Sequence, residues 1–306
     1  MSERLWVLPA DQAAHDPEAL GLASFPSDGA TAASLFGDAD VLALPTARSA
    51  IHLLARRFGL GRSDEVLIAT TSDSGFVSSC VTCTWFEHCA VSRVLSDRTR
   101  LVWIIHEFGF PHPGTSALVE TARSLGIPVV EDSAHSLDSF LDGQRLGLTG
   151  DFGLYSLPKT LPVAAGGVLI GRDVGELERL AAMAPGENVD DLGPLPTPAA
   201  AEGPDLASLL PHVAALSARR RSIHRAYADA FARQPQVYPA GDGVAPFAFV
   251  FTTPAAAEVI RHLEGAPDGA ETVRTHNEGW VGLPDNPFAP DRRVERVIRL
   301  VTEVLG

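Results

Sequence analysis

Lysine occurs once in this chain of 306 residues, at Lys159, although twenty-three arginines accompany it. An arginine serves for solubility, ion pairs and phosphate contact, but its guanidinium stays protonated and does not act as an amine nucleophile. A single retained lysine therefore indicates chemistry that needs a primary amine able to lose its proton. Chance survival on the surface is the simpler explanation of the lysine taken by itself, so the residues around it must decide.

Other polar residues follow predicted strands. Asp132 and His135 come directly after an apolar run, and Ser156 ends another run three residues before Lys159. A third run leads through Thr46 into a predicted helix, whose first N–H groups can bind a phosphate. In open α/β sheets such strand ends share one edge, where ligands bind. Pyridoxal phosphate needs this set: a lysine for its Schiff base, a carboxylate for its pyridine nitrogen and donors for its phosphate.

These residues depend on an alternation of strands and helices in the first half of the chain. Apolar runs bounded by turn residues predict strands, and segments of helical periodicity separate them. The predicted strands are residues 41–45, 64–69, 101–106, 127–130, 152–156 and 167–170, and the predicted helices are 47–57, 76–88 and 115–125. This order is typical of an α/β domain with a mostly parallel sheet.

The composition changes after about residue 172, where a Pro-, Gly- and Ala-rich stretch at 185–204 separates two helical patterns. The patterns predict helices at 175–184, 206–234, 254–263 and 291–305 and a strand at 247–252. We therefore expect an N-terminal arm (1–40), a large cofactor-binding domain (41–172) and, in residues 173–306, interdomain helices with a small C-terminal α+β domain.

Charge and composition exclude some classes of protein. The net charge of −14 repels a nucleic-acid backbone. No apolar run is long enough to cross a bilayer, and the N-terminus lacks a basic stretch followed by an apolar core, so a cytoplasmic location without membrane contact is expected. An odd number of cysteines in such a chain favours reduced thiols.

The cysteines raise the question of a metal. Cys80 and Cys83 are separated by two residues, and His88 and Cys89 follow. No second paired cluster completes a conventional site, so buried thiols on a helix are the preferred interpretation and no metal is expected.

The order of the motifs resembles that of the DegT/DnrJ/StrS family of fold type I, pyridoxal phosphate-dependent sugar aminotransferases. The resemblance runs from about residue 41 to 170 and is weaker in the arginine-rich helix at 219–221 and before the last helix. It rests on the segments Asp64-Glu65-Val66-Leu67, Glu131-Asp132-Ser133-Ala134-His135, Gly150-Asp151, Ser156-Leu157-Pro158-Lys159 and Gly166-Gly167. It implies an α/β fold: a large domain whose mostly parallel sheet is flanked by helices, plus a smaller C-terminal α+β domain.

The resemblance also implies roles for four residues at the strand ends. Lys159 resembles the Schiff-base lysine, and Asp132 the aspartate that pairs with the pyridine nitrogen. His135 matches the residue beside the ring and its 3-hydroxyl, and Ser156 the serine that contacts the phosphate. Taken singly, Asp132 could also be a helix cap, His135 a loop histidine and Ser156 a strand-end hydroxyl. The ordered set around the only lysine favours the cofactor roles.

Four further residues are carried over from the family. Ala47 and Arg48 stand where the family commonly has Gly-Thr, and their main-chain N–H groups would bind the phosphate. Phe76 would stack on the coenzyme ring, and Asn188 would enter the phosphate site of a partner subunit. Core packing or surface contact explains Phe76 and Asn188 as well.

Three polar residues near the end of the predicted strand 101–106 have two open interpretations. His106, Glu107 and His112 could contact substrate or form a structural turn.

The implied reaction transfers an amino group from an amino acid, glutamate or glutamine, to a keto-sugar, cyclitol or related carbonyl intermediate of secondary-metabolite or cell-envelope biosynthesis. The implied assembly is a homodimer with a shared active site. Between Cys89 and Asp97 the chain is shorter than its relatives and is expected to lack a strand and a turn, which puts a nucleotide-sugar substrate in doubt. Two alternatives are a lyase or dehydratase with the same cofactor, in whose relatives histidine replaces the lysine, and a non-catalytic regulatory homologue. The retained Lys159 argues against both.

Overall fold

The computed structural model describes residues 22–37, 39–72, 77–163, 165–183, 206–239, 241–266, 272–275 and 277–306. The strands of the large sheet are β1 (Asp40–Leu44), β2 (Glu65–Thr70), β3 (Ala90–Ser92), β4 (Thr99–Ile105), β5 (Val129–Asp132), β8 (Phe152–Ser156) and β9 (Gly167–Gly171). Two small antiparallel pairs are β6 (Phe140–Leu141) with β7 (Gln144–Arg145), and β10 (Ala248–Thr252) with β11 (Trp280–Pro284).

The described helices lie on both sides of the large sheet and around the β10–β11 pair. They are α1 (Ala32–Phe36), α2 (Ser49–Arg57), α3 (Ser79–Phe86), α4 (Thr115–Ser124), α5 (Val174–Met183), α6 (Leu206–Leu209), α7 (Val213–Ala230), α8 (Ala256–Glu264) and α9 (Asp291–Leu305). Within the described part of the chain, no helix is both long and apolar enough to cross a membrane.

The seven-stranded sheet has the order β1-β9-β8-β5-β4-β2-β3. Strands β3, β2, β4, β5 and β8 are parallel neighbours, and β9 runs antiparallel to both β8 and β1. Strand β4 is buried along nearly its whole length, as expected of a strand covered by helices on both faces. All the strands except β9 therefore end at one edge, and this edge collects the predicted site residues.

Apolar side chains cover both faces of the sheet. On one face α2, α3 and α5 pack against it, and the Trp85 ring of α3 meets the Trp103 ring of β4 edge to face at 5.3 Å. On the other face α4 contributes Val119 and Ala122. The C-terminal part has its own core between the β10–β11 pair and helices α7, α8 and α9, with Phe249 and Phe251 fully buried.

The mostly parallel sheet and its flanking helices confirm the predicted α/β class. The large sheet spans Asp40–Gly171, and the β10–β11 pair follows later in the chain. The domain boundaries at 40/41 and 172/173 themselves stay a prediction.

Several local expectations were wrong. The segment expected to lack a strand holds β3, short but paired in parallel with β2. The helix expected from Ala47 with Thr46 as its cap begins at Ser49, because Ala47 and Arg48 form a preceding turn. The long helix expected from residue 206 is divided at a short 3-10 turn, since Pro211 cannot donate a helical hydrogen bond.

Two further elements and the thiols also differ from expectation. The β6–β7 hairpin and β11 carry little alternating pattern and were missed. Cys83 is exposed and Cys80 half-buried on α3, so only Cys89, beyond the helix end, is a buried thiol. Burial, with a smaller contribution from the charge of Asp64, raises the pKa of Cys89 to about 11.

Gly153 in β8 is required by a close backbone approach. A Cβ at this position would overlap the carbonyl oxygen of Gly147, and its three nearest atoms all belong to the main chain of Gly147, which cannot rotate away. Gly153→Ala should lower the free energy of unfolding by about 1–3 kcal/mol, measured by urea denaturation. The control is Gly241→Ala, because a Cβ there meets nothing within 4 Å. Equal stability of the two variants would contradict this packing.

Candidate active site

The ends of three neighbouring strands bring the predicted residues together. Asp132 ends β5, Ser156 ends β8, and β1 ends at Leu44, five residues before helix α2. Strand β9 lies between β8 and β1, and its Gly167 pairs with Ser156 on one side and with Leu44 on the other. The carboxylate, the hydroxyl and the start of α2 therefore lie along one continuous edge.

Asp132 is held in a buried polar pocket, with 5% of its surface exposed. The indole Nε1–H of Trp103 donates to Oδ2 at 3.1 Å, and the N–H of Ala134 donates to Oδ1 at 3.0 Å. Burial raises the pKa of Asp132, and the positive charge of Lys159 opposes the shift. A carboxyl group in this state gains most from a further cation, such as a protonated ring nitrogen.

Lys159 contacts His135 through their side chains, with 3.2 Å between Nζ and Nε2. The backbone N–H of Phe108 donates to Nδ1 of His135 at 3.1 Å, so Nδ1 must be the acceptor nitrogen. Burial, with the charges of Lys159 and Arg220, holds the pKa of His135 well below its ordinary value, so the ring is neutral and its one proton lies on Nε2. The proton on Nε2 therefore faces Nζ of Lys159 at 3.2 Å.

Two aromatic rings fix the plane of His135. Phe108 stacks on one face with an interplanar angle of 9° and centroids 5.5 Å apart, and Phe247 stacks with centroids 4.9 Å apart. Phe108 has a φ of 52°, a left-handed conformation that is strained for a bulky residue. The carbonyl of Phe108 accepts from the N–H of Phe247 at 2.7 Å, so contacts at both of its backbone polar groups hold the strained residue in place.

The start of α2 forms a cradle of backbone donors. In the described part of the chain, neither the N–H of Ala47 nor that of Arg48 donates to another residue. The N–H of Ser49, by contrast, donates to the carbonyl of Thr46. A Cβ on Gly167 would lie 2.6 Å from the nitrogen of Ala47, so only glycine lets β9 come this close. The N–H groups of Ala47 and Arg48 at the start of α2, together with the hydroxyl of Ser156, are therefore suited to bind a phosphate.

The residues present therefore fit pyridoxal phosphate. Lys159 offers the amine, Asp132 a buried carboxylate, and Ala47, Arg48 and Ser156 the phosphate donors. The predicted residues Phe76 and Asn188 lie outside the described residues, so their roles stay predictions.

His106 and Glu131 form a buried structural pair beside the site. Nε2 of His106 lies 2.9 Å from Oε2 of Glu131, and Nδ1 accepts from the N–H of His112 at 3.0 Å. Burial would raise the pKa of Glu131, but the hydrogen bond and charge of His106 and the N–H groups of Gly150 and Thr149 hold it below its usual range.

Glu107 is also used within the turn, where its Oε2 accepts from the N–H and hydroxyl of Ser72, each at 2.6 Å, and from Tyr238 at 3.2 Å. These contacts favour the structural interpretation of His106, Glu107 and His112.

Arg220 of α7 is a site residue that sequence reasoning left without a role. Its Nη2 donates to the main-chain carbonyl of Lys159 at 2.6 Å, and its guanidinium lies 5.5 Å from the centroid of the Phe247 ring. Burial lowers the pKa of Arg220 to about 10, opposed by the charge of Asp285. The available signal was the run of three arginines at 219–221 on a helix with an apolar face.

The side chains of His224 and Asp285 form a second buried polar group, and the charge of Asp285 acts on Arg220. Nδ1 of His224 and Oδ2 of Asp285 are 2.9 Å apart, and both side chains are almost fully buried. Burial raises the pKa of Asp285 to about 6, while His224 and Arg220 oppose the shift. Arg220 therefore connects the core of the C-terminal part to the main chain of Lys159.

Known proteins share sequence with part of the chain. The UDP-N-acetyl-3-dehydro-α-D-glucosamine 3-aminotransferase of Acidithiobacillus ferrooxidans is 26% identical over 174 residues, which cover 49% of this chain and 44% of that protein. The L-glutamine:scyllo-inosose aminotransferase of Streptomyces griseus is 25% identical over 152 residues, covering 45% and 36%. The aligned segments thus span less than half the length of each of these curated relatives.

The fold extends further than the sequence similarity. The crystal structure of the aminotransferase TlmJ from Streptoalloteichus hindustanus superposes with a TM-score of 0.70 over 96% of this chain and 95% of that one, at 21% identity. This likeness confirms the fold type I architecture. Residues 30–185, just over half of the chain, match the model of the DegT/DnrJ/EryC1/StrS aminotransferase family. The chain therefore belongs to the DegT/DnrJ/EryC1/StrS aminotransferase family, whose aminotransferases use pyridoxal phosphate.

Proposed function

We propose that this protein is a pyridoxal phosphate-dependent aminotransferase. The observation that carries the proposal is the juxtaposition of the amine of Lys159, 3.2 Å from His135, with the buried carboxyl group of Asp132 at the same sheet edge. The backbone N–H groups of Ala47 and Arg48, which follow the end of β1 at the same edge, complete the set of groups that the coenzyme needs. Fold type I architecture and family membership support the same conclusion.

Each residue has a definite task in this proposal. Pyridoxal phosphate supplies a carbonyl group that takes up an amine and a ring that withdraws electrons from the reacting carbon. Asp132 binds the ring nitrogen in its protonated form, and Ala47, Arg48 and Ser156 hold the phosphate. Lys159 anchors the coenzyme and, once released, accepts and returns a proton at Nζ. His135, whose Nε2 lies 3.2 Å from that amine, positions it.

The substrates of the proposed reaction are an amino acid donor, glutamate or glutamine, and a keto-sugar, cyclitol or related carbonyl acceptor. The names of the two curated relatives support this class, since one acts on an amino-sugar precursor and the other on scyllo-inosose with glutamine. Such acceptors occur in secondary-metabolite and cell-envelope pathways. The lyase or dehydratase alternative has no support here, because the lysine that its relatives replace is present.

Replacement of Lys159 tests the function. Lys159→Ala should abolish the visible absorbance of the lysine-bound coenzyme and lower the rate of amino transfer by about 10⁴-fold, because the group that moves the proton is gone. The measurement is the absorbance change when glutamate or glutamine is added to the coenzyme-loaded protein, which needs no knowledge of the acceptor.

Lys159→Arg is the matched control for charge. It keeps a cation at the position but provides no amine nucleophile, so it should be as inactive as Lys159→Ala. Wild-type protein that stays colourless with added coenzyme, or full activity in either variant, would rule the proposal out.

Replacement of Arg220 tests its contact with Lys159. Arg220→Met should lower kcat by about ten- to a hundredfold, because the carbonyl of Lys159 loses the donor that positions it. It should also move the acidic limb of the pH–rate profile to higher pH, since the positive charge of Arg220 helps to lower the pKa of His135. Arg221→Met is the control, because Arg221 lies 3.7 Å from Asp138 and is partly exposed. If the role of Arg220 were purely structural, Arg220→Met would lower the melting temperature and leave the acidic limb of the pH–rate profile in place.

We also propose that the protein works as a homodimer in which Asn188 reaches the partner's phosphate site. Mixing inactive Lys159→Ala chains with inactive Asn188→Ala chains should restore activity, because half of the sites in a mixed dimer then carry neither change. Chain exchange is verified by native mass spectrometry. Mixed dimers that remain inactive would contradict a shared site, and a monomer in light scattering would contradict the dimer.

A further inference from the structure

Helix α2 and the turn after α3 bring two histidines and a glutamate together, apart from the coenzyme residues. His52 lies on α2 and is almost fully buried, whereas Glu87 and His88 follow the end of α3. Nδ1 of His52 and Nε2 of His88 are 2.8 Å apart, and the rings meet edge to face at 5.0 Å. The two ring nitrogens therefore face each other at hydrogen-bonding distance.

A carboxylate oxygen of Glu87 completes the group. One ligand atom from each of His52, Glu87 and His88 lies within 4.8 Å of the other two. Zinc binds imidazole nitrogen at about 2.0–2.1 Å, so two ligands of a tetrahedral ion stand roughly 3.3 Å apart. The two imidazole nitrogens need to separate by about half an ångström to take up an ion, which small side-chain rotations provide.

We propose that His52, Glu87 and His88 form a binding site for one divalent transition-metal ion of the zinc class. Two imidazoles with one carboxylate suit zinc, cobalt or nickel, whereas magnesium and calcium prefer oxygen ligands. Three protein ligands leave a fourth position for water. The ligands are not the thiols of Cys80, Cys83 and Cys89, although these stand in the same stretch of sequence.

The surrounding charges set the expected strength of the site. The guanidinium of Arg62 donates to the carbonyl of Phe86 at 2.6 Å, next to Glu87, and its positive charge works against a cation. The carboxylate of Glu87 offsets that charge. Removing Glu87 should therefore weaken binding, because the cation then faces Arg62 without a compensating anion.

The position of the site gives it a mechanical consequence. His52 lies four residues after Arg48, which is about 6 Å along the helix axis from the phosphate cradle. A bound ion would tie the first turns of α2 to the end of α3 and hold the cradle against the sheet. The proposal does not depend on the aminotransferase function, since it concerns the metal alone.

Zinc titration of the full chain after removal of metals by chelation tests the proposal. Calorimetry should give one ion per chain, and cobalt substituted for zinc should show the visible bands of a low-coordinate site. His88→Gln should weaken binding by about tenfold or more, because a ligand is lost. Glu87→Gln should also weaken it. His88 is only half-buried, so its variant is better suited to the test than one at His52.

The matched control is His262→Gln. His262 is an exposed histidine 3.1 Å from a carboxylate oxygen of Glu303, so it resembles the site without providing a third ligand. His262→Gln should leave zinc binding unchanged. The rise in melting temperature on adding zinc should be the same as in the wild-type chain. No binding by the wild-type chain up to millimolar zinc, unchanged binding by His88→Gln, or equal weakening by His262→Gln would overturn the proposal.

Discussion

The contact between His135 and Lys159 is the interaction that the surrounding residues hold in place. Because the backbone N–H of Phe108 donates to Nδ1, the neutral imidazole can only donate from Nε2, the nitrogen that lies 3.2 Å from the amine of Lys159. The stacked rings of Phe108 and Phe247 hold the imidazole plane, and Arg220 holds the carbonyl of Lys159. The left-handed backbone of Phe108 is strained, and the packing of its ring against Tyr238 and Phe247 offsets that strain.

Neighbouring carboxyl groups on β5 illustrate how burial alone does not decide ionisation. Glu131 and Asp132 are both almost fully buried, yet the pKa of Glu131 is lowered and that of Asp132 is raised. Adjacent strand residues point to opposite faces, so the two carboxyls have different partners. Glu131 collects His106 and three backbone N–H groups, and its charge is satisfied within the fold. Among the described residues, two groups donate to Asp132, the indole of Trp103 and the N–H of Ala134, and its charge can be balanced further by a cation.

Sequence reasoning found the parts of the site that depend on strand ends. Asp132, Ser156 and the start of α2 could be brought together from the sequence, because parallel strands place their carboxyl ends at one edge. The parallel strands themselves were predictable, since their apolar runs are continuous.

The contacts that depend on tertiary packing were not predictable. Neither the left-handed Phe108 nor the contact of Arg220 with a carbonyl sixty-one residues away has a local signature. Short elements such as β3 and β11 are stabilised by their neighbours in the sheet more than by their own pattern. The start of α2 at Ser49 was missed because the turn at Ala47 and Arg48 reflects the close approach of Gly167, which lies in another strand.

The bond from Arg220 reaches the main chain of residue 159 and does not contact its side chain. The loop is therefore held in the same way whichever amino acid stands there. In evolutionary terms, the scaffold and the reactive group are separable: a descendant could exchange the lysine and lose the chemistry while keeping the shape of the pocket. Folds with this property can give rise to binding proteins or to new reactions through a single codon.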